Sequence, residues 1–403
     1  MRVVVHDYAG HAFPAQLARS LASRGHAVLH LQLASFVSGK GRVEKEPADP
    51  PGLEFDRVDL GGEFAKYDVR RRIAHERRIG SELTARIEAF RPDVVLSNAP
   101  LLVQARVQRA ARTLGAGFVF WQQDVISAAA GRVLGRRAQM LGVVAEQAIA
   151  PLERRLLRRS DAVVIIAQDF LPLLRRWGVD EARVTVIENW APLAEIPVLP
   201  RDNAWAREHG VEAKTVFLYS GTLGFKHDPS LVLELARWAT GEDALALVVS
   251  EGPGADWLAQ HATQAAALRL LPYQPYERLP EVLASADVLV AVLDPEAGAF
   301  SVPSKVLTYL CAGRPLLAAL PADNLAARVV ERSGGGIVVP PRDAQALVAA
   351  AEELSADPER RAELGRAARA YAERTFDLAA IADRFEQVLG RAKRYARGPR
   401  RRR

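Results

Sequence analysis

Cysteine is nearly absent from this 403-residue sequence: Cys311 stands alone, so neither a disulfide framework nor a cysteine-rich metal site can form. A reducing cytoplasm suits such a chain. No uninterrupted apolar run of ~18 or more residues occurs, and the N-terminus, Met-Arg-Val-Val-Val-His, passes straight into a strand-like run. Neither a secretion signal nor a membrane span is expected, and any membrane contact is expected to be peripheral. Also missing are a Walker loop, an Asp-x-Asp pair, a His-Glu-x-x-His run and a well-placed Gly-x-Gly-x-x-G. Basic residues are not interleaved with aromatics as a single-strand platform needs, which argues against a nucleic-acid partner.

What is present is a globular composition, 49% hydrophobic and 25% charged, in a chain too long for one core of ~250 to 300 residues. Short runs rich in Val and Ile alternate with longer helical patterns, as in parallel sheets covered on both faces. Strands are expected at Arg2 to Val5, Ala27 to Leu33, Asp93 to Leu96, Gly117 to Trp121, Ala162 to Ile166 and Arg183 to Ile187. The rhythm restarts at Thr215 to Tyr219 and continues through Leu245 to Ser250, Asp287 to Val292, Leu316 to Ala319 and Gly336 to Val339. The fold class is therefore α/β, with two Rossmann-like, doubly wound parallel-sheet domains expected to face one another across a cleft. The expected boundaries are 1–190 for the first domain, 191–212 for a Pro- and charge-rich linker, and 213–375 for the second domain. A helix at 376–393 is expected to pack back on the first domain, and a basic tail at 394–403, ending in Arg400 to Arg403, to be disordered.

Open parallel sheets bind ligands beyond the carboxyl ends of their strands. In the second domain that rule selects Ser220-Gly221-Thr222-Leu223-Gly224-Phe225-Lys226-His227, after which Asp228-Pro229 starts a helix. A Gly-containing loop, a helix N-terminus and a Lys together favour an anion, although an ordinary strand-to-helix turn has much the same composition. Phe300-Ser301-Val302-Pro303-Ser304-Lys305 repeats the arrangement before an apolar helix that stops at Gly313 and Pro315. Two anion sites in one domain match the two phosphates of a nucleoside diphosphate. With no Asp pair to organise a metal, leaving-group charge falls to lysines and helix N-termini, and no cofactor or metal is expected.

On these residues the chain resembles a family-four glycosyltransferase of the GT-B architecture over nearly its whole length. Ser220 to Lys226 resembles the family segment ending in a phosphate-binding Lys, and Val249-Ser250-Glu251-Gly252-Pro253-Gly254 resembles its Gly-x-Gly-Pro turn. Leu271 to Leu293, which includes Tyr273, resembles the nucleotide-base segment, and Gly334 to Pro341 resembles the Gly-Gly-x-Val-Val-Pro-Pro close. Ser301 to Pro315 and Val186-Ile187-Glu188-Asn189-Trp190 are similar to a branch transferring amino-deoxy sugars such as N-acetylfucosamine into bacterial surface polysaccharides. The resemblance implies donor-binding roles for Gly221, Thr222, Gly224, Lys226, Glu251, Tyr273, Ser301, Ser304, Lys305 and Thr308. Where the wider family carries two Glu residues spaced eight apart, this chain has Phe300 and Thr308, so hydroxyls of Ser301, Ser304 or Thr308 take the place of the usual ribose carboxylate.

The same resemblance implies transfer with retention of anomeric configuration, with an acceptor site in the first domain at Gly10, His11, Gln123 and Asp124. Asp124, His11 and Lys226 are the expected catalytic residues. For Asp124 a helix N-cap is the competing structural role, and for His11 a merely solvated loop position. The expected partners are a nucleoside diphosphate sugar, with UDP preferred, and a glycan or lipid-linked acceptor. An anionic membrane surface is a further expected partner, through Arg154-Arg155-Leu156-Leu157-Arg158-Arg159, as is a cytoplasmic location at the inner face of the plasma membrane. An epimerase of the same architecture and a non-catalytic nucleotide-sugar-binding protein remain as alternatives at this point.

Overall fold

A computed structural model describes residues 1–34, 41–61, 69–135, 139–212, 214–224, 226–295 and 304–398. It divides into two compact units, Met1–Asn189 with Asp377–Arg403, and Trp190–Phe376.

Unit 1 begins β1 (Arg2–Asp7), α1 (Ala12–Ser23), β2 (Ala27–Leu33), β3 (Leu53–Val58), α2 (Val69–Phe90), β4 (Val94–Asn98) and α3 (Leu101–Thr113). It continues β5 (Gly117–Gln122), α4 (Ile126–Gly135), α5 (Gln139–Arg159), β6 (Ala162–Ile165), α6 (Leu171–Arg176) and β7 (Val184–Val186). The seven strands are parallel in the order β3-β2-β1-β4-β5-β6-β7. Central strands read as unbroken apolar runs because both faces are covered: Val3, Val4, Val5, Val95, Leu96 and Phe118 are all fully buried. The edge strand β3, Leu-Glu-Phe-Asp-Arg-Val, was not expected; with one paired side it keeps charges on its exposed positions.

Unit 2 contains α7 (Ala204–Glu208), β8 (Thr215–Ser220), α8 (Pro229–Ala239), β9 (Ala244–Val249), α9 (Pro253–His261), β10 (Leu268–Leu271) and α10 (Leu279–Ala284). Next come β11 (Val288–Val292), α11 (Ser304–Cys311), β12 (Leu316–Ala319), α12 (Leu325–Ser333), β13 (Gly336–Val339), α13 (Ala344–Ala356) and α14 (Pro358–Thr375). Its six parallel strands run β10-β9-β8-β11-β12-β13. Residues 191–212, expected to be a linker, are instead built into this unit. Ile196, Trp205 and Val211 are fully buried, and Arg201 bonds Asp287 at 2.8 Å, so the segment is packed into this unit.

The final helix, α15 (Leu378–Arg397), belongs to unit 1. Asp377 caps it through the Ala379 amide, and its apolar face, Ile381, Phe385, Val388 and Leu389, is buried. It lies so close to β5 that a Cβ on Gly117 would stand 2.7 Å from the Ala392 carbonyl carbon, which only glycine tolerates. Trp121 meets Phe385 edge-on at 5.0 Å, and Lys393 pairs with Asp93 at 2.9 Å. The helix runs past 393, where the basic tail was expected to begin, because Arg397 also reaches Asp93, at 3.1 Å. Residues 399–403 of that tail lie outside the described residues. Among the described residues no helix is long and apolar enough to cross a membrane.

Candidate functional site

In each sheet the strand order reverses between the first and fourth strands, β1 with β4 and β8 with β11, and ligands bind beyond the carboxyl ends at such points. In unit 2 the strand β8 therefore delivers the loop from Gly221 to Asp228 to that position. The turn after β9 pins this loop: Ser250 Oγ donates to the Gly221 carbonyl at 2.8 Å, Leu223 N to Glu251 O at 3.0 Å, and Gly254 N to Leu223 O at 2.8 Å. Asp228 caps α8, as its position before Pro229 predicts.

Helix α11 is locked to the same strand by Tyr309, whose hydroxyl accepts from the Ser220 amide and donates to the Ser220 carbonyl, both at 2.8 Å. One turn earlier on that helix, Lys305 places its amine 3.5 Å from the centroid of the Tyr219 ring and 3.5 Å from where a Cβ on Gly221 would stand. Although its stem is partly exposed, Nζ is buried and has no hydrogen-bond partner among the described residues. Burial, with the charge of Lys226 beside it, holds the amine well below the usual lysine range. His227 is pushed down to about 3 by burial and by Lys305 and Lys226, so its neutral ring accepts from the Gly224 amide at 3.0 Å. Lys226 itself is exposed. Thr222 and Tyr273 join through their hydroxyls at 2.6 Å. Glu251 is exposed just beyond β9, Ser304 is exposed at the start of α11, and Thr308 lies half-buried one turn on. Ser301, with Phe300, lies outside the described residues.

In unit 1 the equivalent position holds a buried carboxylate that sequence reasoning missed. Asp7, the last residue of β1, accepts from the His11 amide and from Asn98 Nδ2 at 3.2 Å, and lies 3.2 Å from His11 Nδ1. Burial alone would raise Asp7, but attraction and hydrogen bonds from His11 outweigh it and bring the carboxyl down to about 2. His11 is thus a positioned imidazole at the start of α1 rather than a free loop residue, and Gly10 N closes the turn on Asp7 O at 3.4 Å. The available signal was the four-residue spacing of Asp7 and His11. Behind them His6 bonds Ser97 Oγ at 2.8 Å, and His30 is buried with neither ring nitrogen hydrogen-bonded among the described residues.

Gln123 and Asn189 exchange reciprocal amide hydrogen bonds of 2.6 and 3.3 Å, while Asp124 is exposed. The amides of Ile126 and Ser127 that open α4 are taken by Glu153 of α5, both at 2.9 Å, so a residue 26 positions downstream of Ser127 caps the helix. Glu153 is fully buried, and desolvation raises its pKa despite those bonds. Glu153→Gln, which turns one acceptor into a donor facing an amide, is expected to cost about 1–3 kcal/mol in urea denaturation. An unchanged midpoint would contradict the capping role.

Comparison with known proteins bears directly on these two units. Residues 10–190 match the family described as glycosyl transferase 4-like domain, and residues 202–371 match glycosyl transferases group 1. The chain belongs to the family-four glycosyltransferases. Curated relatives of this glycosyltransferase include the probable glycosyltransferase WbjE of Pseudomonas aeruginosa, 28% identical over 285 residues, which are 68% of each chain. The putative colanic acid biosynthesis glycosyl transferase WcaI of Escherichia coli K12 is 27% identical over 304 residues, 73% of each chain. Among solved structures, sucrose-phosphate synthase of Thermosynechococcus elongatus matches with a TM-score of 0.71 at 17% identity, over 96% of this chain and 98% of that one. Anabaena HepE, described in complex with UDP and glucose, matches with a TM-score of 0.70 at 14% identity, over 97% and 99%. The fold is therefore GT-B. The residues expected to hold the donor of the glycosyltransferase sit in unit 2 and those expected to hold its acceptor in unit 1.

Proposed function

We propose that the enzyme transfers a sugar from UDP, with retention, to a hydroxyl of a polysaccharide or lipid-linked intermediate, and that the sugar is an N-acetylated amino-deoxy hexose. The observation that carries the donor half is the buried, unpartnered Lys305 amine beside Gly221 with the Lys226 ammonium near it. A diphosphate arriving there supplies the hydrogen-bonding counter-charge that the Lys305 amine lacks among the described residues, and the charge-assisted contacts grow as the leaving group gains negative charge. Since the sequence has no Asp-x-Asp pair, these lysines and the start of α11 take the part a divalent ion plays elsewhere.

Retention arises from the geometry of the leaving group: the acceptor hydroxyl attacks the face the diphosphate vacates, and a departing phosphate oxygen receives its proton. The protein then has to orient the acceptor more than activate it, a task suited to Asp124 and to the Asp7-held His11. Support for UDP comes from HepE, which shares the fold and is described with UDP, and support for a polysaccharide pathway comes from WcaI.

A thermal-shift panel of UDP, GDP, ADP and dTDP sugars tests this reading, run on wild type and Lys226→Ala. The UDP sugars are expected to stabilise most, by about 2.7 kcal/mol at a hundredfold excess over Kd. Lys226→Ala is expected to weaken binding roughly 10- to 100-fold. A stabilisation that survives the substitution undiminished overturns the donor site, and a larger response to another base overturns the choice of UDP.

A further inference from the structure

Outside the two strand-end sites, unit 1 carries a cavity of about 690 Å³ whose lining includes Gln147, Arg154, Arg155, Arg158, Arg159 and Trp177. Several other surface arginines of this unit are paired with carboxylates, as Arg19 is with Asp49, Arg86 with Asp56 and Arg175 with Glu181, at 2.6 to 2.8 Å. The four cavity arginines are exposed, and none of their guanidinium groups has an ion pair or hydrogen bond among the described residues. Burial, with repulsion from Arg155 and from Arg112 of α3, lowers the pKa of Arg159, so positive charge is crowded at this end of α5. A concave, uncompensated group of guanidiniums is built for phosphate oxygens, which Arg can grip with two parallel bonds.

The same helix states what carries those phosphates. At its start Met140, Leu141, Val143 and Val144 are exposed by 79%, 53%, 50% and 60%, forming the main exposed apolar group of the described residues. Met140, Val144, Gln147, Pro151, Arg154 and Arg158 recur at intervals of three and four, so one stripe of α5 runs from the apolar end to the arginine cavity. From Met140 to Arg154 the rise is about 21 Å. Half-buried Trp177 adds an indole at the cavity, a side chain suited to the boundary between headgroups and acyl chains.

We infer that this face of α5 docks on a bilayer of anionic phospholipid, with the cavity arginines holding headgroup phosphates and the Met140–Val144 end entering the headgroup–acyl boundary. The surface rests on the lipid-linked acceptor proposed above, since it brings the enzyme to that acceptor. Its test needs neither donor nor acceptor, so either idea can fail alone.

Co-flotation of the full chain with phosphatidylglycerol–phosphatidylcholine vesicles decides the matter, against pure phosphatidylcholine and in rising salt. Wild type is expected to float with the anionic vesicles only, and less so as salt screens the contact. The double variant Arg154→Ala, Arg158→Ala is expected to bind roughly 30-fold more weakly, and Val144→Asp to lose retention as well. The control pair Arg207→Ala, Arg374→Ala, on exposed arginines of unit 2, is expected to float like wild type. An unchanged melting temperature and far-ultraviolet circular dichroism certify that each variant is folded. Equal retention on neutral vesicles, or undiminished flotation of either α5 variant, overturns the inference. So does protection of the cavity by inorganic pyrophosphate in a chain that binds no vesicles, which would make it a site for a soluble anion.

Discussion

Lys305→Met is expected to raise the melting temperature by several degrees while weakening UDP-sugar binding roughly 10- to 100-fold. The two effects have one origin. In the free enzyme the amine is buried over Tyr219 without a hydrogen-bond partner among the described residues, an arrangement that costs stability whether the group is charged and desolvated or neutral and unsatisfied. Methionine fills similar volume without that cost, worth about 1–3 kcal/mol. The lowered pKa sets the sign of the pH dependence. Between the folded-state value and ~10.4 the unfolded chain holds a proton that the native amine lacks, so wild type gains stability as pH rises. The advantage of the methionine variant should therefore shrink from pH 7 towards pH 10. Binding of a diphosphate opposes that lowering of the pKa, so calorimetry in buffers of different ionisation heat should register more proton uptake in wild type than in Lys305→Met. A variant that melts lower, or that binds UDP sugars as tightly as wild type, refutes the assignment.

Acidification from pH 6.5 to 4 is expected to destabilise unit 1, which holds two buried neutral imidazoles, more than unit 2, which holds one in His227. His6 and His30 are both lowered from 6.5 to about 4, chiefly by burial, with Asp7 opposing the shift. They are neutral in the native state and charge first in the unfolded chain, so stability present above pH 6.5 is lost as pH falls through that window. The loss is on the order of 3 kcal/mol for each, against a total of roughly 5–15 kcal/mol for a domain. Asp7, held at about 2, adds a further loss only below the carboxylate range, as pH falls from 3.8 towards 2. Because His30 lies tilted against Phe55 at 5.0 Å with neither nitrogen hydrogen-bonded among the described residues, His30→Leu should remove about half of the acid sensitivity of unit 1. Hydrogen exchange of the β5 amides, tracked through a pH titration, reports on unit 1. An acid midpoint unmoved by His30→Leu would show that the buried imidazoles do not govern it.

Central strands and the loops at their carboxyl ends were legible in the sequence because full burial leaves unbroken Val, Leu and Ile runs, with Gly, Pro and Asp marking the turns at their ends. The edge strands β3 and β10 were not, since Glu54, Asp56 and Arg57 in one and Arg269 in the other break their apolar runs, whereas the opposite edges β7 and β13 carry no charge and were read. The character of residues 191–212 was obscured in the same way: Pro and charge look like a linker until Trp205 and Ile196 are seen to be buried. In the candidate site, Lys226 and Lys305 could be chosen by type and spacing, but nothing local shows that one is exposed and the other buried against Tyr219. That difference depends on Tyr309 clamping α11 to β8, a contact between residues 89 apart. Likewise the Ile126 and Ser127 amides after Asp124 are capped from α5, a contact that no short-range rule could supply.

The return of α15 to unit 1 bears on how the chain is made. Unit 2 is one uninterrupted stretch, Trp190–Phe376, whereas unit 1 needs Asp377–Arg403 to be complete. On the ribosome, domains ordinarily fold in the order in which they emerge. Here the unit begun first is finished last: the groove over Gly117 and Trp121 stays open while all of unit 2 is synthesised, until Phe385 and Ala392 arrive. Throughout that interval the nascent chain presents an unfilled apolar surface, and the late helix acts as the closing piece that retires it from the reach of chaperones.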